Sequence, residues 1–165
     1  MYVTYHCDIL KKINNKNFLK KLNYFIKENP CCKKYPKCEH ARTQSIGTLH
    51  KHFLELNKSI DITVCKYFGY KPNILHKKCW VFLNKADEEI DSIRHNHVYD
   101  SKKFSISAIA YLTETDFGTK FCDEEKIKPQ VNYWNVFDSR LYHQAEEGVP
   151  KIDRYVLAFD VVIGD

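Results

Sequence analysis

Five short runs rich in β-branched and aromatic residues, 105–112, 119–122, 131–137, 142–146 and 155–163, follow one another at spacings of roughly ten residues. Charged residues, Gly and Pro separate them, which is the punctuation of turns between strands. A chain built from so many short strands closes them into a sandwich or a barrel. The same character begins near Ile60, where Ile62, Val64, Tyr67 and Phe68, and then residues 79–83, lie between turn signals at Gly69, Pro72 and Asn73.

Upstream the period changes. Ile9, Ile13, Leu19, Leu22, Phe25 and Ile26 stand among lysines and asparagines at helical spacing, which predicts one amphipathic helix over 9–27, closed by Pro30. A loop rich in Cys, Lys and Pro follows over 30–38. Ile46, Leu49, Phe53 and Leu56 then recur at intervals of three and four, predicting a second helix over roughly 43–57. The expected fold is mainly β with N-terminal helices: a single domain, 1–165, in which a helical region, 1–59, packs on a strand-built core, 60–165.

Composition agrees with a packed unit. The 165 residues are 44% hydrophobic and 28% charged with five Gly and five Pro, which excludes disordered and collagen-like classes. No apolar run approaches the roughly 20 residues of a membrane span. The start of the chain lacks the pattern of a secretory leader, so a cytoplasmic, intracellular location is expected, with no membrane partner. Seven cysteines, an odd count, then read as reduced thiols, and the sequon Asn57-Lys58-Ser59 as unmodified. Charge is unevenly spread: residues 1–80 carry 16 Lys and Arg against 5 Asp and Glu, residues 81–165 carry 10 against 16. The basic half is either a solvated lysine surface or a face for nucleic acid or an acidic protein.

Histidine supplies the chemistry. His95 and His97 flank one residue, and on extended chain that spacing points both imidazoles to one side. His143, from a later strand, could complete a metal face, and Asp100 offers the hard oxygen ligand of a two-His, one-carboxylate iron site. A second thiolate and imidazole group, Cys31, Cys32, Cys38 and His40, has zinc-ligand chemistry with wider spacing than usual. Nucleophile-elbow, P-loop and dinucleotide motifs are absent, and Glu124-Glu125 and Glu146-Glu147 read as solvated loops.

Beyond the pair, Val136-Phe137-Asp138-Ser139-Arg140-Leu141-Tyr142-His143 is followed, after ten residues, by Arg154 in Asp153-Arg154-Tyr155-Val156. Cys79-Trp80-Val81-Phe82-Leu83-Asn84, the His95-Asn96-His97 motif, a serine-containing strand ending Tyr111-Leu112, and Phe117-Gly118-Thr119 precede it in that order. Over about residues 60–165 the chain resembles the Fe(II)- and 2-oxoglutarate-dependent oxygenases of the prolyl-hydroxylase-like group. The resemblance implies a double-stranded β-helix, or jelly roll, that hydroxylates a substrate with O2, with 2-oxoglutarate as cosubstrate. It implies that His143 binds iron, that Arg154 binds the distal carboxylate of 2-oxoglutarate, and that Tyr111 adds a phenolic hydrogen bond.

The family's first iron motif is H-x-D, and here a histidine stands in the carboxylate's place. Two ligand sets follow: His95, His97 and His143, or His97, Asp100 and His143. A different class of function also fits the altered motif, a binding module of the same ancestry without turnover that uses its basic N-terminal half. The substrate is not readable, since this fold serves many.

Overall fold

The computed structural model describes residues 1–32, 39–98, 102–122 and 125–165, excepting the side chains of Glu39 and His40. Strand β1 (Tyr2–His6) precedes helices α1 (Asp8–Ile13), α2 (Lys16–Glu28), α3 (Glu39–Thr43), α4 (Leu49–His52) and α5 (Leu54–Phe68). Strands β2 (Ile74–Asn84), β3 (Ser105–Tyr111), β4 (Thr119–Phe121), β5 (Lys126–Ile127), β6 (Tyr133–Asp138), β7 (His143–Ala145) and β8 (Arg154–Ile163) follow. Five form an antiparallel sheet in the order β1-β6-β3-β8-β2, and three a second sheet in the order β5-β4-β7.

Strand β8 shows why this arrangement holds. All ten of its residues are buried, so both its faces must be covered. Tyr155, Leu157, Phe159, Val161 and Ile163 join a core with Leu22 and Ile26 of α2 and Leu56, Ile60 and Val64 of α5. Val156 and Ala158 join a second core with Phe121 and Ile127 of the small sheet. Arg154 and Asp160 are an even number of residues from Val156 and Ala158, so the pleat turns both charges toward the small sheet.

The chain is mainly β with antiparallel sheets, as expected. The barrel is corrected: among the described residues no strand pairs from one sheet to the other, and the sheets remain a five-stranded and a three-stranded layer. Strand β1, within the region 1–59 expected to be helical, adds to the edge of β6 with Tyr2 opposite Phe137.

The helices also differ from expectation. The single helix over 9–27 is two, because Asn15 is extended and its side chain caps α2 by accepting from the Asn17 and Phe18 amides, both at 3.0 Å. Neighbouring Asn14 anchors the break, donating to the Leu112 carbonyl at 2.8 Å. The helix expected over 43–57 is instead α3, α4 and the start of α5, and Ile62, Val64, Tyr67 and Phe68 lie on α5 rather than on a strand. Leu56, Ile60 and Val64, four apart, all face the core, so burial on a sheet outweighs the low helix propensity of β-branched residues. Ser59 and Thr63 also face the sheet, and their hydroxyls turn back onto the carbonyls of Leu56 and Ser59. Gly69, at φ 76°, then closes α5 in the left-handed conformation.

Candidate metal centre

The polar floor of the site follows from strand register. Asn84 of β2 lies opposite Arg154 of β8, Trp80 opposite Ala158, and Ser107 of β3 opposite Asp160. These side chains share the face toward the small sheet, and Trp80, Ser107, Arg154, Ala158 and Asp160 line a cavity of about 430 Å³, with Phe82, Ile109, Phe137 and Val156 as its apolar walls. Thr119 and His143 enter from the small sheet.

Backbone pairing brings the H-x-H motif to that cavity. The amide of His95 donates to the His143 carbonyl at 3.0 Å, and that of His143 returns a bond to the His95 carbonyl at 2.8 Å. His97 donates from its amide to the Ser139 carbonyl at 2.9 Å. Further along, the amide of Ala145 bonds Ser92 Oγ, and that of Ile90 bonds the Gly148 carbonyl. Residues 90–97 are thereby zipped onto the β7 side of the small sheet.

The three imidazoles then meet. His95, His97 and His143 each offer a ring nitrogen, and these atoms all lie within 4.8 Å of one another. Each Nδ1 faces an acceptor: the Ile93 carbonyl at 2.7 Å for His95, Asp160 Oδ2 at 2.8 Å for His97, and the Leu141 carbonyl at 3.0 Å for His143. An acceptor there fixes the proton on Nδ1 and leaves the lone pair on Nε2, the form that binds a metal. The His97 ring is stacked on Trp80 at 5.4 Å, and the His143 ring packs on Phe137 at 4.9 Å. Burial pushes the His143 pKa down to about 4, and the neighbouring His95 and His97 push the same way, outweighing the bond to Leu141. A neutral imidazole is the ligating form.

Arg154 occupies another part of the cavity wall. It is 2% exposed, yet among the described residues its guanidinium hydrogen-bonds neutral acceptors: Asn84 Oδ1 at 2.8 Å and the carbonyls of Phe117 and Gly118 at 3.1 and 3.3 Å. It lies 5.4 Å from the centre of the Tyr111 ring. Burial lowers its pKa from the ordinary arginine value, with the nearby Tyr111 and Glu146 acting against that. Among the described residues no carboxylate is hydrogen-bonded to this buried cation. Gly118 makes this approach possible: a Cβ there would lie 2.1 Å from the Ile127 carbonyl oxygen.

The structure thus brings His95, His97, His143 and Arg154 to one cavity. Tyr111 lies beneath it, fully buried, with its hydroxyl 2.9 Å from Thr119 Oγ1, so Thr119 rather than Tyr111 reaches the cavity wall. Asp100 and Cys38 lie outside the described residues, as does the His40 side chain. Cys31 and Cys32 line the cavity with their sulfurs 3.6 Å apart. Sequence reading missed Asn84, Ser107, Thr119 and Asp160. Asp160 left one trace there, a lone carboxylate six residues after Arg154 inside an apolar strand.

No protein-family model matches the chain, and no curated protein is similar to it in sequence. Its fold does match solved structures. A viral collagen prolyl hydroxylase of Paramecium bursaria Chlorella virus-1, in complex with 2-oxoglutarate, superposes with a TM-score of 0.64 at 13% identity, covering 99% of this chain and 96% of that one. A prolyl hydroxylase of Trichoplax adhaerens, bound to a hypoxia-inducible-factor peptide, gives 0.61 at 12% identity over 98% and 83% of the two chains. SnoN, a non-haem α-ketoglutarate-dependent epimerase of nogalamycin biosynthesis, gives 0.67 at 10% identity over 98% and 76%. The chain has the fold of the Fe(II) and 2-oxoglutarate oxygenases, the family its sequence resembles.

Proposed function

We propose that this protein is an Fe(II)- and 2-oxoglutarate-dependent oxygenase on a jelly-roll scaffold, acting as a hydroxylase. The observation that carries the reading is one cavity holding three convergent imidazoles and a buried arginine that, among the described residues, is hydrogen-bonded by no carboxylate. His95, His97 and His143 are assigned as the metal ligands and Arg154 as the partner of the distal carboxylate of 2-oxoglutarate. The donor set fits: three neutral imidazoles on one side suit Fe(II) and leave room for further ligands. Bound there, iron and 2-oxoglutarate supply the chemistry that couples decarboxylation of the oxo-acid to succinate with oxidation of an unreactive C–H bond by O2.

The chain's own residues orient and shield. Asn84 and the Phe117 and Gly118 carbonyls hold the guanidinium in place, leaving its remaining N–H capacity for a carboxylate. Tyr111 acts through Thr119, whose hydroxyl it bonds. Trp80, Phe82, Ile109 and Phe137 keep water from the reacting region. Whole-chain action is part of the reading, with 1–59 packed on 60–165 in an intracellular, reducing compartment that keeps iron ferrous.

Anaerobic titration calorimetry with Fe(II), followed by 2-oxoglutarate, tests it. Wild type is expected to bind the oxo-acid only after metal, and to release succinate in air even without a substrate. Metal-independent binding of the oxo-acid, or no succinate, would overturn the oxygenase reading. A salt-sensitive affinity for nucleic acid in its place would favour the binding module.

A further inference from the structure

A ligand face of His95, His97 and His143 carries no charge of its own, and the fold supplies a carboxylate just behind it. Asp160 is 1% exposed, in the middle of β8. Its Oδ2 accepts from His97 Nδ1 at 2.8 Å, and its Oδ1 accepts from Ser107 Oγ at 2.6 Å. Ser107 Oγ is 3.0 Å from Ser139 Oγ, and the Ser139 carbonyl holds the His97 amide at 2.9 Å. The chain Ser139, Ser107, Asp160 and His97 therefore closes on itself, holding His97 by both ring and backbone. Burying a carboxylate is costly unless it is bonded and meets opposite charge. A divalent cation beyond the His97 ring would provide that charge.

We propose that Asp160 is the carboxylate of this centre, a positioning residue that holds the Nδ1–H form of His97 and sets metal affinity from behind the ring. The inference rests on the metal-centre reading above. Carboxylate, imidazole and metal in line is an arrangement that raises ligand basicity and fixes the ring's orientation. Asp160 thereby does at one remove what a directly bound carboxylate would do, and Ser107 aims it.

Two measurements on the full chain test this. In the metal-free protein at neutral pH, long-range 1H–15N spectra report the His97 tautomer, assigned by comparison with His97→Gln. Wild type is expected to show Nδ1–H, and Asp160→Asn, whose amide can present a donor instead, to lose it. Co(II), used alone as the probe, is expected to bind Asp160→Asn about ten- to a hundredfold more weakly than wild type. Ser107→Ala, which removes the donor to Asp160 together with the contact to Ser139 Oγ, is expected to weaken Co(II) severalfold, and it decides the matter if Asp160→Asn does not fold. Wild-type His97 in the Nε2–H form, or Co(II) affinity within twofold of wild type in the variant that folds, would overturn the proposal while leaving the metal centre standing. A wild type that binds no Co(II) overturns the metal-centre reading, and this role with it.

Discussion

The arginine end and the histidine end of the cavity are built differently. Arg154 starts a ten-residue strand, and its main partner Asn84 ends the eleven-residue strand beside it, in direct register. That end is fixed by long antiparallel pairing before any ligand arrives. The histidine end depends on residues 90–97, which form no regular strand, pinned by an isolated two-residue bridge to a strand of three. Preorganisation at the first end comes from the sheet. At the second it comes from a few backbone bonds and from Asp160, so a bound metal should order it further.

The sharpest way to break this contrast is His143→Ala. Loss of a direct ligand should exceed the cost of losing the carboxylate behind one, so metal affinity is expected to fall by more than about a hundredfold. Metal titration checks it, and retained affinity would mean the histidine end is not the metal centre. Acid gives the next effect, through a residue outside both ends. His50 on α4 is buried with Nδ1 lacking a hydrogen-bond partner among the described residues, and burial pushes its pKa down to about 4, with Lys77 and Lys51 adding to the shift. The unfolded chain titrates near 6.5 and so takes up the proton first. Stability is therefore present above about pH 6.5 and lost as pH falls toward 4, by at most about 3 kcal/mol from this group. Urea unfolding of the metal-free protein across that window should be flatter in His50→Leu, which isolates the helical layer's acid response from that of the histidine end.

Gly118→Ala probes the arginine end through its backbone. The added methyl meets the Ile127 carbonyl, so a loss of about 1–3 kcal/mol in unfolding free energy is expected, with weaker 2-oxoglutarate binding and an unchanged histidine end. The smallest effect is expected from Arg154→Lys, which keeps the charge but loses the fork. About a tenfold weaker affinity for 2-oxoglutarate, with metal affinity unaltered, would show that the two ends act separately. Equal loss of both affinities would show that they are one coupled unit.

Strands β3, β6 and β8 were legible because each is an apolar run too dense to lie at a surface. The misreading of residues 62–68 has the same origin: β-branched and aromatic residues fill a buried helix face as readily as a strand, and a short window does not separate the two periods. His95 and His97 were legible as a pair because their relation is local. Their meeting with His143 was a reading of strand chemistry that the family resemblance strengthened, and the bridge between His95 and His143 gives it a geometric basis.

What the sequence by itself determined is local: the near-continuous apolar run that makes β8 a strand buried on both faces, the H-x-H spacing, and the placing of Arg154 and Asp160 on one side of the pleat. Only the tertiary structure decided that Asp160 faces His97 across 63 residues of chain. It also decided that, among the described residues, Arg154 hydrogen-bonds neutral acceptors alone and that Gly118 has no room for a side chain. Those facts depend on which strands lie side by side and in what register, and register is set by the burial of both sheet faces together, a property of the whole fold rather than of any one segment.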